Sequence, residues 1–373
     1  MTTALDELMT ASTLTADLRS RSDWIRGEIV ESNRIARPSD ALLEYLLDRR
    51  TNLALVPQCY GGLHLDFLGE FSLIFEATRI DSTFGWIVFQ LIGNPGRVLS
   101  FFSDSTVRNL LAQTDGRVVI TYQNDASKAR VTAGPTGTRV SGYWNFGTLA
   151  DCATHFAVPF IDPEDGVERC MLLPPDTVER PDKWLSDAFK GASISPYAIS
   201  NRPVNGGDPV AEIRLSNDAF RPYYVVPRSS IKHLAWSAGL AQANLDAVSG
   251  RDPSRASACW TEYEQTLCTQ IQEVRARLQA LGEATAAEDG PGGVPAAGAG
   301  AELNELHARC APLQQLAVEG ALQVFVETPG KALDSGSRVS RTLLDVLTLS
   351  LHGAIRPDIS FIGRAISSSK GPN

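Results

Sequence analysis

The spacing of hydrophobic residues changes twice along this chain of 373 residues. Up to about residue 116, apolar side chains recur at helical intervals, as at Leu68, Phe71 and Ile74. From Arg117 the chain instead carries short runs rich in β-branched and aromatic residues, which read RVVITYQ, ARVTA, TRVSGYW, THFAVPF, RCMLLP and VAEIRL. Helical spacing returns from Ser229. This order predicts a helical, then a strand, then a helical region, and it does not support the βαβ alternation of a Rossmann sheet.

The helical regions carry local start and stop signals. Residues from about 4 to 50 are predicted to form two helices separated at Pro38. Asp66 is predicted to cap a helix that ends within the segment 76–86, and a further helix is predicted from Ser103 up to Gly116. The helices predicted in the last third of the chain span residues 229–250, 257–281 and 302–326.

These regions predict three domains. They are an N-terminal helical domain over residues 1–116, a central β-domain over 117–226 and a C-terminal helical bundle over 227–373. The segment 282–300 is rich in Ala, Gly and Pro, so we predict a flexible loop there. Its glycines neither follow a strand nor open a phosphate-binding helix, and the segment therefore fails as a nucleotide motif.

Charge and composition narrow the class of protein. A net charge of −9 without any basic run argues against nucleic acid or an anionic membrane as the main partner. No segment approaches the ~20 apolar residues that cross a bilayer, and the N-terminus does not resemble a secretory signal, so we expect a cytoplasmic protein. The six cysteines and five histidines show no metal-ligand spacing, and we expect scattered reduced thiols and no metal.

A polar stripe runs along the segment 340–357, SRTLLDVLTLSLHGAIRP. Ser340 is predicted to cap this helix, and its many leucines predict burial on most sides. Arg341, Asp345, Thr348 and His352 are spaced by four, three and four residues, which places them on one face. Two interpretations remain open: an Arg341–Asp345 ion pair with His352 bonded to a backbone carbonyl, or a stripe that lines a cofactor or substrate cavity. The helix alone favours the first.

Five short strings occur in a fixed order over nearly the whole chain. They are VPQCYGG at 56–62, EATRIDSTFGW at 76–86, VSGYWNFGT at 140–148, Trp184 with FKGASIS at 189–195, and RTLLDVLTLSLH at 341–352. Together they resemble the acyl-CoA dehydrogenase superfamily, and most closely its two-component flavin-dependent monooxygenases, which include aromatic hydroxylases and N-oxygenases. Ser82 stands one position early relative to the family's second string, and KGASI replaces the family's RGTGS.

The resemblance implies a fold and a set of site residues. It implies an α+β, acyl-CoA dehydrogenase-like fold with an N-terminal helical domain, a central β-barrel or sandwich and a C-terminal four-helix bundle. It places Thr148 where a hydroxyl bonds flavin N5, and His352 where a histidine faces the substrate. The other residues that it places at the flavin are Trp86, Tyr122, Gln123, Phe146, Gly147 and Ser193.

The resemblance also implies an activity and partners. The chain is expected to be the oxygenase component of a two-component monooxygenase, which uses O2 and dissociable reduced FMN or FAD from a separate NAD(P)H:flavin reductase. It would hydroxylate or N-oxidise a small molecule in natural-product or catabolic metabolism. Family members are usually homotetramers, and we expect the same here.

The residues leave two alternatives open. A flavin-dependent acyl-thioester dehydrogenase or oxidase needs a carboxylate base, but no Asp or Glu follows Asp358, and Asp246 on an earlier helix has no matching string. A flavin-free homologue that keeps the fold is the other alternative. Leu149 stands where the family has Gly, and Ala192 lacks the hydroxyl of the family's Thr, so these two residues motivate it.

Overall fold

The computed structural model describes most of the chain. The described residues are 10–134, 137–181, 187–204, 207–221, 229–249, 258–286, 297–328, 330, 334 and 336–352. The predicted end of the β-domain near Tyr224, as well as Trp184, lies outside these residues.

The N-terminal third is helical, as predicted. Its helices are α1 (Ala11–Ser20), α2 (Ser22–Ile35), α3 (Asp40–Asp48), α4 (Phe67–Ile80), α5 (Ser82–Val98) and α6 (Asp104–Gln113). Asp66 and Ser103 cap α4 and α6 through side-chain oxygens that accept backbone N–H bonds, as expected from the sequence. The prediction of two helices before residue 50 was wrong, because the chain turns at Arg21 and forms three.

The β-region forms two sheets. The strands are β1 (Ile120–Tyr122), β2 (Ala129–Gly134), β3 (Gly137–Gly147), β4 (His155–Ile161), β5 (Glu168–Leu173), β6 (Ser195–Pro203) and β7 (Val210–Glu212). One sheet has the order β1-β4-β5-β7 with β1 parallel to β4, and the other has the antiparallel order β2-β3-β6. Trp144 and Tyr197 from the second sheet pack with Phe156 of the first in one apolar cluster, so the sheets face each other.

The C-terminal third is helical again. Its helices are α7 (Ser229–Ser249), α8 (Ala258–Ala286), α9 (Ala297–Ala308), α10 (Cys310–Val326) and α11 (Arg338–Leu349). The single helix predicted over 302–326 is divided in two at Arg309. Helices α8 and α9 extend into both ends of the predicted loop 282–300, while residues 287–296 lie outside the described part.

Helix α11 departs from the prediction in two ways. Its N-cap is Ser337 rather than Ser340, since the Ser337 hydroxyl accepts the backbone N–H of Ser340. The helix is also buried on one side only, because Leu344 and Leu347 are each 43% exposed whereas Asp345 is fully buried. The leucines of α11 therefore lie on two faces of the helix, one packed against the core and one at the surface.

The first and last helical regions share one core. Helix α4 lies against α7 so closely that a Cβ at Gly239 would collide with the backbone oxygen of Phe75. Apolar side chains of both regions, such as Ile74 and Leu240, belong to the same cluster. This close packing brings residues from both ends of the chain together beside the β-region.

Two further observations concern the described residues alone. No helix among them combines the length and the apolar character needed to cross a membrane. Nor do three or more of their His, Cys, Asp and Glu side chains come together in a way that could hold a metal ion.

Candidate functional site

Helix α5 has a capped N-terminus, and its residue Trp86 is buried in the interior. The Asp81 carboxylate caps the helix by accepting the backbone N–H groups of Thr83 and Phe84. One turn later, Trp86 is only 6% exposed. Its Nε1–H donates to Oγ1 of Thr148 at 3.3 Å, which joins the helical region to the end of β3.

The position of Thr148 is fixed by a close approach of backbone segments. The Thr121 hydroxyl donates to the carbonyl oxygen of Thr148 at 2.9 Å. A Cβ at Gly147 would lie 2.8 Å from Thr121 Cγ2 and 2.9 Å from the Ser195 carbonyl oxygen, so only glycine fits there. Leu149 then adopts a left-handed conformation with φ of 62°. The hydroxyl of Thr148 is therefore presented by a rigid turn.

Aromatic side chains surround Trp86. Its ring stacks on Phe89 at a centroid distance of 4.7 Å and on Phe189 at 5.1 Å. Phe189 in turn meets Trp236 edge-on at 5.9 Å, and the Trp236 indole N–H donates to the Ser82 carbonyl. These stacked and edge-on rings form an apolar wall between α5, α7 and the loop before β6.

Two histidines complete the site. The ring of His352, which follows α11, lies 6.2 Å from Trp86 and 4.5 Å from His233 of α7, measured between centroids. His352 was expected here from the sequence, whereas His233 was not. A lone histidine in an apolar helix gives no spacing signal, and only the packing of α7 brings it here.

The surroundings favour the neutral form of both imidazoles. Burial, the neighbouring His352 and the positive charge of Lys232 all lower the pKa of His233 well below its ordinary value. Desolvation and Lys232 likewise lower the pKa of His352. The residue His352 as a whole is exposed, so solvent weakens the lowering of its pKa by Lys232.

The polar stripe of α11 has different partners from those expected. Asp345 accepts hydrogen bonds from the hydroxyls of Ser82 at 2.7 Å and Thr83 at 2.9 Å, and from the backbone N–H of Phe189 at 2.7 Å. Arg341 instead lies 3.9 Å from Asp81. The expected Arg341–Asp345 ion pair is therefore wrong.

Burial raises the pKa of Asp345 to about 7, against the opposing effect of these three hydrogen bonds. The carboxyl group ties α11 to the start of α5 and to Phe189 in the aromatic wall. Its oxygens are occupied by these partners, which suits a structural anchor better than a catalytic base.

The remaining residues singled out from the sequence lie in the β-region and its loops. Tyr122 packs edge-on against Phe101 at 6.3 Å, and Phe146 is 53% exposed. The Ser193 hydroxyl donates to the Asp151 carboxylate at 2.8 Å and accepts the Asp151 backbone N–H. Ser193 therefore joins the loop before β6 to the loop after β3. This contact with Asp151 was not predicted from the sequence.

Two polar groups of the β-region have the hydrogen-bonding character that a flavin needs. The side-chain oxygen Oε1 of Gln123 is buried and has no hydrogen-bond partner among the described residues. The Thr148 hydroxyl accepts from Trp86, which leaves its own hydrogen available as a donor. A flavin ring carries both N–H groups and bare nitrogen atoms, so an acceptor and a donor of this kind are each complementary to part of it.

Other reactive side chains are engaged elsewhere. Asp246, considered above as a carboxylate base, forms an ion pair with Arg79 at 2.5 Å. Burial raises the pKa of the Cys152 thiol to about 11, which argues against a thiolate nucleophile. The His155 ring bonds the Thr154 hydroxyl at 3.1 Å.

The whole fold is similar to those of solved monooxygenases. The HsaA monooxygenase from M. tuberculosis superposes with a TM-score of 0.79 at 15% identity, over 97% of this chain and 98% of that one. The chain has the fold of these monooxygenases. This confirms, at the level of the fold, the resemblance to acyl-CoA dehydrogenase-like flavin monooxygenases inferred from the sequence.

Two similar structures contain a flavin. TdsC from Paenibacillus sp. A11-2, solved with FMN and indole, has a TM-score of 0.75 at 16% identity, over 97% of this chain and 98% of that one. XiaF from Streptomyces sp., solved with FADH2 and glycerol, has a TM-score of 0.72 at 14% identity, over 97% of both chains.

Sequence comparison finds a relative over a smaller part of the chain. A pigment production hydroxylase of Rhodococcus sp. (strain ATCC 21145) is 25% identical over 179 residues, which are 47% of this chain and 45% of that protein. The matched segment thus spans less than half of that relative's length. No protein-family model matches the chain.

Proposed function

We propose that this protein is the oxygenase component of a two-component flavin-dependent monooxygenase. It takes reduced FMN or FAD from a separate NAD(P)H:flavin reductase and transfers one atom of O2 to a small aromatic molecule by hydroxylation or N-oxidation. A cytoplasmic location and a place in natural-product or catabolic metabolism are parts of the same proposal.

The position of Trp86 carries this proposal. Its indole N–H bonds Thr148 at the edge of the β-region, and its ring lies 6.2 Å from that of His352 at the end of α11. Thr148 and His352, the two residues to which the sequence resemblance gives flavin and substrate roles, thus flank one side chain.

The chain's own residues have separable roles in this proposal. Thr148 would donate its hydroxyl hydrogen to the flavin ring, and Gln123 would accept a flavin N–H. The apolar wall of Trp86, Phe89 and Phe189 would exclude water and hold a flat substrate. Bound reduced flavin would supply the two electrons that activate O2. His352, neutral at pH 7, would accept a proton from the substrate.

The similar structures support this assignment without deciding its details. FMN with indole, and FADH2, are bound in two of them. Which flavin this chain takes, and whether carbon or nitrogen is oxidised, are therefore open to direct measurement.

Anaerobic titration tests the proposal. The protein is titrated with reduced FMN and with FADH2, followed by flavin fluorescence, and is then mixed with ¹⁸O2 and a panel of phenols and indoles. We expect binding of at least one reduced flavin and a product that carries one ¹⁸O atom, while the second atom leaves as water. Folded protein that binds neither flavin would contradict the proposal and favour a flavin-free protein with the same fold.

We further propose that copies of the chain associate through α10 and α11, as in a homotetramer. Leu322 and Val326, one turn apart on α10, are 43% and 71% exposed. Leu344, Leu347 and Leu351, which share a face of α11 and the turn after it, are 43%, 43% and 68% exposed. Exposed apolar stripes on two adjacent helices are typical of an interface between subunits.

A further inference from the structure

The imidazole of His233 is held in one tautomer. Its Nδ1 lies 2.6 Å from the carbonyl oxygen of Ser229, one helical turn earlier in α7. A carbonyl oxygen only accepts hydrogen bonds, so Nδ1 carries the hydrogen and donates it. The second nitrogen, Nε2, is then a bare acceptor, because the buried ring is neutral.

That acceptor has no partner within the described part of the chain. Nε2 of His233 is buried without a hydrogen bond, and the residue is only 1% exposed. The hydroxyl oxygen of Ser229, which precedes His233 by one turn, is also buried and has no partner among the residues that the structure describes. Unpaired buried polar atoms destabilise a folded protein by about 1–3 kcal/mol each. Two such atoms one turn apart indicate a face of α7 that receives a polar group from a ligand.

The neighbours of His233 define the shape of that ligand. Phe89 meets the His233 ring edge-on at 4.9 Å, Trp86 does so at 6.5 Å, and His352 lies 4.5 Å away at a tilt of 41°. All of these neighbours are flat rings. A flat aromatic ligand would stack among them and offer its polar edge to Nε2.

We propose that Nε2 of His233 positions the substrate by accepting a hydrogen bond from an O–H or N–H group attached to an aromatic ring. This inference rests on the proposed function and specifies its substrate class: phenols and N–H heteroaromatics, rather than aromatic hydrocarbons or their O- and N-methylated forms. His233 is thus a positioning residue, whereas His352 lies closer to the open side of the site.

The flavin itself is a less suitable partner for this nitrogen. The groups that fit the flavin, Thr148 and Gln123, belong to the β-region, at the end of β3 and just after β1. His233 belongs to α7, on the side of Trp86 that also carries His352. Thr148 thus contacts Trp86 through the indole N–H, whereas both histidines meet the Trp86 ring edge-on, and we assign the first contact to the cofactor and the others to the substrate.

Matched pairs of ligands test the inference. Indole against 1-methylindole, and phenol against anisole, differ by the hydrogen that Nε2 would accept. Their affinities are measured by calorimetry without flavin and, anaerobically, with saturating reduced FMN. We expect the wild-type protein to prefer indole and phenol by about tenfold, since a methylated ligand leaves the buried acceptor unpaired.

Variants then assign the preference to His233. In His233→Ala the ratio should fall to about one, while His233→Gln, whose side-chain oxygen is again an acceptor, should restore part of it. His155→Ala, which alters a histidine on β4, should leave the ratio unchanged. Denaturant unfolding of each variant shows whether it is folded. A preference that persists in folded His233→Ala, or no binding of indole and phenol by the wild type, would overturn the inference.

The reduced-flavin titration keeps the two proposals apart. A hydrogen-bond preference that depends on His233, in a protein without flavin affinity, would leave this inference standing and remove the proposed activity. Loss of reduced-flavin binding in folded His233→Ala would instead assign Nε2 to the cofactor and overturn the substrate role.

Discussion

The indole nitrogen of Trp86 and the hydroxyl oxygen of Thr148 lie 3.3 Å apart, although 62 residues separate them in the chain. Both side chains are buried, at 6% and 5% exposure. This hydrogen bond joins the helical region to the β-region at the position where the proposed cofactor and substrate sides meet. Because both groups are buried, loss of this bond would leave the indole N–H unpaired, so the bond should matter for both stability and binding.

Replacing Thr148 by Val tests that bond. Val keeps the shape of the side chain but leaves the Trp86 N–H without an acceptor, so the free energy of unfolding should fall by about 1–3 kcal/mol. The affinity for reduced flavin should fall by about tenfold, because the hydroxyl donor is lost as well. Urea unfolding and anaerobic flavin titration measure the two effects. Thr148→Ser keeps the hydroxyl and is the matched control; equal losses in both variants would remove the hydroxyl from the explanation.

The close approach at Gly147 gives a second prediction. A Cβ there would lie 2.8 Å from Tyr197 Cδ1 and 2.9 Å from the Ser195 carbonyl oxygen, so Gly147→Ala should lower the free energy of unfolding by about 1–3 kcal/mol. Gly27→Ala is the matched control in α2, where an added Cβ meets no atom within 4 Å. That variant should raise stability by about 0.5–1 kcal/mol through helix propensity. Thermal unfolding should therefore separate the two variants in opposite directions.

Short-range signals in the sequence predicted much of the fold. Helix caps such as Asp66 and Ser103 depend on hydrogen bonds to backbone groups three residues away, and the β-rich runs reflect the local preference of their residues for strands.

Helix α5 beyond Trp86 was missed because Pro95 and several glycines interrupt its hydrophobic pattern. Close packing against the rest of the core outweighs this poor propensity: a Cβ at Gly96 would lie 2.8 Å from the Leu55 side chain. Strand β6 was missed since its pairing with β3 is a long-range contact.

The site was only partly accessible from the sequence. Trp86, Thr148 and His352 came from a family resemblance, and the contacts of Trp86 with the other two follow from packing across the two regions. The partners of Asp345 could not be foreseen, because Ser82 and Phe189 are 263 and 156 residues away in the chain. The local spacing suggested Arg341 instead. His233 had no pattern at all, and its unpaired nitrogen became visible only with coordinates.

Removing His352 should uncouple oxygen consumption from product formation. His352→Ala takes away a neutral imidazole at the proposed substrate side, while the flavin contact proposed for Thr148 is left unchanged. We expect unchanged affinity for reduced flavin and a several-fold lower ratio of product to O2 consumed, with the difference released as hydrogen peroxide. An oxygen electrode and product analysis give the ratio. A ratio equal to that of the wild type would remove His352 from the proposed mechanism.

The exposed leucines of α11 predict assembly. Leu344→Glu combined with Leu347→Glu places two charges on the face proposed to contact another subunit, so the native mass should fall towards that of one chain. Multi-angle light scattering after size-exclusion chromatography measures it. Val30→Glu is the control, since Val30 is 59% exposed on α2 and lies outside the proposed interface. A wild-type protein that is already monomeric would contradict the proposal.

The buried Asp345 carboxyl should make stability depend on pH. Its pKa is raised to about 7 by burial, whereas in the unfolded chain it stays near 3.8. Between these values the folded state binds more protons than the unfolded state, so the free energy of unfolding falls as pH rises from about 4 to about 7 and then levels off. The contribution is at most ~4 kcal/mol.

Asp345→Asn isolates this contribution from all other titrating groups. The amide oxygen can still accept the Phe189 N–H, and the hydroxyls of Ser82 and Thr83 can turn to accept from the amide NH2, so the anchor is kept without a charge. We therefore expect the variant to gain stability relative to the wild type as pH rises from 5 to 8, in urea unfolding at each pH. A constant difference over this range would show that Asp345 has the same pKa in the folded and unfolded states, and that its three hydrogen bonds compensate fully for its burial.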